Sequence, residues 1–242
     1  MSRLKNFLHQ IRAQFPNDWY FEDIDFSFQA RSVIATYDRA LSTLDQESWA
    51  YLQKKALGEF CSGKNNGRGK QPFFNQLNEA FAFRFLLLND HQQVAFIPED
   101  IKKKNKTPDI CFMRNGSFSF CEVKTLSISE NEISRMASES VIDNSIYQEL
   151  DNSFLETKLS STINLAREQI MSAGTDGLVY LIVHFDDFTL AHYSTYRQQI
   201  VNVLNSKFPS QEVYIKIGLQ SRKYIHHYPY LNNRGMGGNE IR

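Results

Sequence analysis

Apolar positions recur at helical spacing from the start of the chain. Leu4, Phe7, Leu8 and Ile11 form one stripe, Val33, Ile34, Tyr37, Leu41 and Leu44 a second, and Trp49, Leu52, Ala56 and Phe60 a third. Residues 2–61 therefore read as amphipathic helices punctuated at Pro16. Phe73–Leu88 is apolar around most of a helical circumference, the pattern of a helix buried on more than one side. Shorter runs follow: a strand over Gln93–Ile97 that stops at Pro98, then strands over Thr107–Met113 and Ser117–Thr125. Leu159, Ile163, Ala166 and Ile170 predict a helix over Glu156–Ser172, closed by Gly174 and Gly177. Leu178–Phe185 (LVYLIVHF) is continuously apolar, as in a strand covered on both faces. A helix from about Ser194 to Asn205 and a strand over Glu212–Leu219 complete the pattern.

The order helix, strand, strand, strand, helix, strand predicts an α/β fold. A helix between the third and fourth strands permits a parallel crossover, so the central sheet should be mixed. The expected organisation is a helical N-terminal addition over 1–62, an α/β core over 73–220 and a partly flexible C-terminal extension over 221–242. Gly63–Pro72 (GKNNGRGKQP), rich in Gly, Asn and basic residues, reads as a mobile loop with an option of nucleic-acid backbone contact. It is not a phosphate loop: five residues separate Gly63 from Gly69, and Gln71, not Ser or Thr, follows Lys70. Lys102–Lys106 reads as a second basic loop, residues 127–153 as polar and irregular, and Asn232–Arg242 as a fraying end.

One hairpin carries the chemistry. Asn115-Gly116 between two apolar runs is a strong turn signal. With these as the two turn residues, Arg114 faces Ser117, Met113 faces Phe118, Cys111 faces Phe120, and Asp109 faces Glu122. Directly paired residues share a face at about 5 Å between Cβ atoms, and residues two apart on a strand share it too. Asp109, Glu122 and Lys124 thus converge on one patch, flanked by Cys111, Met113, Phe118 and Phe120 at the rim of a buried surface. Opposed like charges destabilise a sheet, and more so near an apolar core. A hard divalent cation offsets this economically, because Mg²⁺ is held by one or two carboxylates plus phosphate oxygens. With a Lys beside it, such a site has the elements of phosphodiester hydrolysis: a polarised phosphoryl group, an activated water and positive charge for the developing anion.

Thr107-Pro108-Asp109, twelve residues, then Glu122-Val123-Lys124 resembles the PD-(D/E)xK nuclease superfamily, the restriction-endonuclease-like fold with its αβββαβ core. The resemblance covers roughly residues 73–185 and implies an endonuclease that uses Mg²⁺, with Mn²⁺ able to substitute, on DNA. It implies that Asp109 and Glu122 bind the metal and that Lys124 orients or activates the water. It also implies that Glu79, in NQLNEAF, completes the site from the first core helix. Lys158 and Gln169 on the second core helix are weaker candidates to approach it. Many such enzymes act as homodimers or in larger assemblies.

Composition tempers the picture. Lys plus Arg equals Asp plus Glu at 27 each, whereas nucleic-acid binders usually carry a basic excess. This favours the rival reading, a catalytically inactive nuclease-like module that binds nucleic acid or a protein partner; an RNA-directed nuclease is a third. With 242 residues and 42% hydrophobic content the chain can bury a core without staples. Three cysteines without metal-ligand spacing suit a reducing compartment. Cys111 and Cys121 fall on opposite hairpin faces and should be free thiols. Met1–Phe15 lacks the apolar core of a signal peptide, and no apolar run nears the about 20 residues of a membrane span. The expectation is a cytoplasmic protein without a membrane partner. His184 and His226-His227 read as structural histidines. Tyr224, Tyr228 and Tyr230, among Arg222 and Lys223, read as an ordinary surface with base stacking as the functional option. For Glu79, flanked on the helical wheel by Asn75 and Asn78, an exposed polar strip competes with the ligand reading.

Overall fold

The computed structural model describes residues 2–22, 28–61, 69–98, 107–127, 129, 134, 148–185, 192–220, 225–226 and 240–241. The basic loop at Lys102–Lys106, most of Gly63–Pro72, most of 127–153, His227, the Tyr224–Tyr230 cluster and most of Asn232–Arg242 lie outside them.

The protein is an α/β structure with N-terminal helices and a five-strand mixed sheet. Helices α1 (Arg3–Gln14), α2 (Trp19–Glu22), α3 (Phe28–Leu41), α4 (Gln46–Cys61), α5 (Gln71–Leu77) and α6 (Glu79–Leu88) precede β1 (Gln92–Phe96), β2 (Ile110–Arg114) and β3 (Ser117–Leu126). A π-helical segment, Ser153–Leu159, leads into α7 (Ser160–Ala173), followed by β4 (Gly177–Phe185), α8 (Tyr193–Lys207) and β5 (Val213–Gln220). The strand order is β1-β2-β3-β4-β5, antiparallel across β1-β2-β3 and parallel across β3-β4-β5. Two-residue strands β6 (Ile225–His226) and β7 (Glu240–Ile241) also pair with β5. The parallel crossover through α7 is the one the element order predicted.

Helices cover both faces of the sheet. On one face Ile110, Phe112, Cys121, Leu178, Tyr180 and Ile182 join a single cluster with the apolar stripes of α1, α3, α4, α5 and α6. Its interior is rich in aromatic rings: Phe60 and Phe73 meet edge to face at 5.4 Å, a favoured geometry for rings. On the other face Val179, Leu181, Val183, Ile215 and Ile217 pack against Leu159, Ile163, Ala166 and Ile170 and against Tyr196, Ile200 and Leu204 of α8. This two-sided cover explains why β4 is apolar without alternation, with Leu178 to Val183 all fully buried.

The β2–β3 turn is the predicted one. Asn115 (φ 51°) and Gly116 (φ 80°) both take left-handed backbone, as a two-residue hairpin turn of this type requires. The ladder runs in the expected frame, Arg114 opposite Ser117 through Ile110 opposite Cys121. The expected apolar rim is different. Phe118 is 60% exposed, and Cys111, Met113 and Phe120 are only partly buried. The fully buried hairpin side chains are the opposite set: Ile110, Phe112, Ser119 and Cys121. The second-face cluster is built on β3, β4 and β5 and draws no residue from β2, so the turn end of the hairpin stays open there.

Candidate active site

The site forms just before the first residue of β2, where β3 continues past the shared ladder. The β2–β3 ladder stops at Ile110–Cys121, one residue short of Asp109, while β3 stays paired with β4 through Leu126. Pro108 has no N–H to extend a ladder. Instead, the Asp109 carboxylate accepts the Val123 N–H at 2.9 Å, and the Asp109 carbonyl accepts the Ile97 N–H at 2.9 Å. Asp109 is thus fixed by backbone donors from β3 on one side and the end of β1 on the other, beside rather than opposite Glu122 in a ladder.

Glu122 is 1% exposed. Its Oε1 accepts a hydrogen bond from Lys124 Nζ at 2.5 Å, and Lys124 also donates to Gln169 Oε1 of α7 at 2.7 Å. Glu122 Oε2 is buried and accepts no hydrogen bond from the described residues. Burial, then the neighbouring Asp109 charge, raise the Glu122 pKa to about 8, against the lowering pull of Lys124 and Lys55. Cys121, buried on the reverse face, is pushed well above its usual range, first by burial and then by Asp109 and Glu122; Cys61, Cys111 and Cys121 are all free thiols.

Glu79 is delivered from the first sheet face. The predicted Phe73–Leu88 helix is interrupted at Asn78, the junction of α5 and α6. Asn78 is fully buried, accepts from Tyr37 OH at 2.8 Å and donates to Thr125 Oγ1 of β3 at 3.1 Å. Gln71 likewise donates to Ser127 Oγ just past β3. These tethers lock the helix junction to the strand that carries Glu122 and Lys124. Asn78 and Glu79 do not form the exposed polar strip considered for this helix: both are buried, Asn78 against Thr125 of β3 and Glu79 against Lys55 of α4.

The structure also brings in Lys55 of α4. Its Nζ lies 2.7 Å from Glu79 Oε1 and 3.6 Å from Asp109 Oδ1. Sequence reasoning missed it because α4 lies outside the resemblance. A signal existed: Lys55 flanks the stripe of Leu52, Ala56 and Phe60 rather than its polar opposite. Of the two candidates on the second core helix, Gln169 contacts Lys124, whereas Lys158 donates to the Ser127 carbonyl at 2.7 Å. His184 is buried in β4, and burial lowers its pKa to about 3, so it stays neutral. Lys70, from the end of the basic loop, is tied to Asp18 at 2.7 Å and lies over the Phe60 ring.

A divalent cation fits the carboxylate pair on one count above all: a buried Glu122 oxygen that takes no hydrogen bond, beside a second carboxylate that raises the cost of ionising it. Among the described residues no group of three His, Cys, Asp or Glu side chains comes together closely enough to hold a metal ion. The available donor set is therefore two carboxylates, with Glu79 paired to Lys55. Two carboxylates match the way Mg²⁺ is held when substrate phosphate oxygens supply further ligands.

No family model, curated protein or solved structure matches the chain. Among the described residues no helix is long and apolar enough to cross a membrane.

Proposed function

We propose that this protein is a Mg²⁺-dependent nuclease of the PD-(D/E)xK type that hydrolyses phosphodiester bonds of DNA. The observation that carries the reading is Glu122: a carboxylate buried to 1% exposure with one bare oxygen, set beside Asp109 and bridged by Lys124 to Gln169. Burying two acids together is costly for a purely structural ion pair, because both are desolvated and they repel each other. The arrangement of helix, three antiparallel strands, helix and parallel strand supports the restriction-endonuclease-like assignment, as does the site's position where β2 leaves β3.

In this reading Asp109 and Glu122 hold the cation, Glu79 assists only when Lys55 releases it, and Mn²⁺ substitutes for Mg²⁺. The metal supplies a Lewis acid for the phosphoryl oxygen and lowers the pKa of a bound water. The protein's own groups do the rest. Lys124, fixed from both sides by Glu122 and Gln169, places an ammonium where it orients the water and faces developing negative charge. The Val123 N–H holds the Asp109 carboxylate in one orientation. The balanced charge, 27 basic and 27 acidic residues, favours the second reading, a nuclease-like module that binds nucleic acid or a protein without cutting.

The deciding experiment incubates wild-type and Lys124→Ala protein with plasmid DNA, in Mg²⁺ or Mn²⁺ and in EDTA. Metal-dependent nicking that falls at least about a hundredfold in the variant, the usual scale for losing such a group, supports the enzyme. Absence of cleavage of DNA or RNA in any form sinks it in favour of the binding module.

A further inference from the structure

A cation already stands among the acids. Lys55 Nζ sits within 2.7 Å of Glu79 and 3.6 Å of Asp109, on a side chain only 16% exposed. Asp109 belongs to the pair assigned to the metal above, and Glu79 joins it only when Lys55 lets go. Lys55 reaches them from α4, whose Leu52, Ala56 and Phe60 are anchored in the aromatic cluster. The helix is therefore a fixed base, while the four-carbon lysine stem can swing. The second lysine is arranged differently: Lys124 bonds Glu122 Oε1 and leaves Oε2 without a hydrogen bond. Lys55 thus neutralises the Glu79–Asp109 side of the cleft, while Lys124 serves the Glu122 side.

Resting on the metal-site reading, we propose that Lys55 is a built-in counter-cation that competes with the divalent ion for Glu79 and Asp109. Metal loading then requires the ammonium to withdraw, and α4, an element outside the nuclease-like core, sets the metal concentration at which the site fills. Two physical points support this. Buried acids need a compensating charge when no metal is present, and the Lys55 ammonium supplies one. A monocation and a divalent ion sharing the same carboxylates repel each other at contact distances, so one must yield.

The test is Mn²⁺ binding by calorimetry and by thermal shift, on full-length wild type, Lys55→Met, Lys55→Gln, Lys55→Arg and Lys54→Met. Lys54 is exposed on the same helix and controls for loss of a nearby surface charge. Lys55→Met and Lys55→Gln should bind Mn²⁺ at least about tenfold more tightly, equivalent to about 1.4 kcal/mol, and melt at lower temperature without metal. Lys55→Arg and Lys54→Met should stay within about twofold of wild type, less than about 0.4 kcal/mol. Adding Glu79→Gln to Lys55→Met should erase the gain. If the Met variant fails to fold, the Gln variant reads the same quantity with a hydrogen-bond donor retained. Unchanged or weaker Mn²⁺ binding in the neutral variants, or a gain that survives Glu79→Gln, overturns the role of Lys55. If wild type meanwhile binds Mn²⁺ and Glu122→Gln abolishes binding, the metal-site reading still stands. Absence of saturable Mn²⁺ binding in wild type and neutral variants alike overturns both.

Discussion

Replacing Glu122 with Gln isolates the energetic cost of the candidate site. The carboxyl pKa rises from 4.5 to about 8 on folding, chiefly through burial and then through Asp109. A raised pKa means the folded protein holds this proton more tightly than the unfolded chain. The associated stability is therefore complete below about pH 4.5 and is lost as the pH climbs through about 8. At about 1.4 kcal/mol per pH unit, the interval corresponds to about 5 kcal/mol in total and about 4 kcal/mol between about pH 5 and 9. Gln has no proton to lose, so its variant lacks this slope. It carries a different and pH-independent cost: an amide NH₂ at the position of Oε2, which has no hydrogen-bond partner, about 1–3 kcal/mol. The stability curves should cross. The variant is the less stable protein in mild acid and the more stable one, by about 2–4 kcal/mol, in mild alkali. Urea unfolding in EDTA across that pH range measures this directly. Adding Mn²⁺ should restore the wild type in alkali and leave the variant unmoved, since only the wild type offers the ionised ligand. Parallel pH profiles for the two proteins would refute the claim that Glu122 is buried at this cost.

Three further outcomes follow from named contacts. Asp109→Asn keeps an acceptor for the Val123 N–H but removes the charge that raises the Glu122 pKa; the Glu122 carboxyl should titrate at lower pH by carbon-detected NMR, and an unmoved midpoint would break the proposed coupling. Gly177→Ala should cost about 1–3 kcal/mol in urea unfolding, because its Cβ would stand 2.3 Å from the Phe120 carbonyl oxygen and 2.7 Å from Ile170 Cγ2; a neutral effect would mean the β3–β4 contact yields easily. Asn78→Ala removes buried side-chain bonds to Tyr37 and Thr125, so stability should fall by about 2–3 kcal/mol; wild-type stability would show that the α5–α6 junction is not tethered there.

Much of the frame was legible in the sequence, because local rules and one global pattern agreed. The Asn115-Gly116 turn has few solutions, and it set the β2–β3 register before any tertiary contact was considered. Helical periodicity marked the stripes of α1, α4 and α7, and the unbroken apolar run of β4 announced a strand covered on both faces. The tertiary structure alone decided three things. It decided which hairpin face is sealed, because that depends on where α7 comes to rest: Phe118 lies open while Ser119 is buried. It decided how Asp109 is held, since a side chain rather than the ladder takes the Val123 N–H beyond Pro108. And it brought Lys55 to Glu79 across 24 residues of chain. Short-range pattern reports which residues share a helix face or strand face. It carries no record of which distant charge will be folded against them, because that pairing is fixed by how whole elements pack.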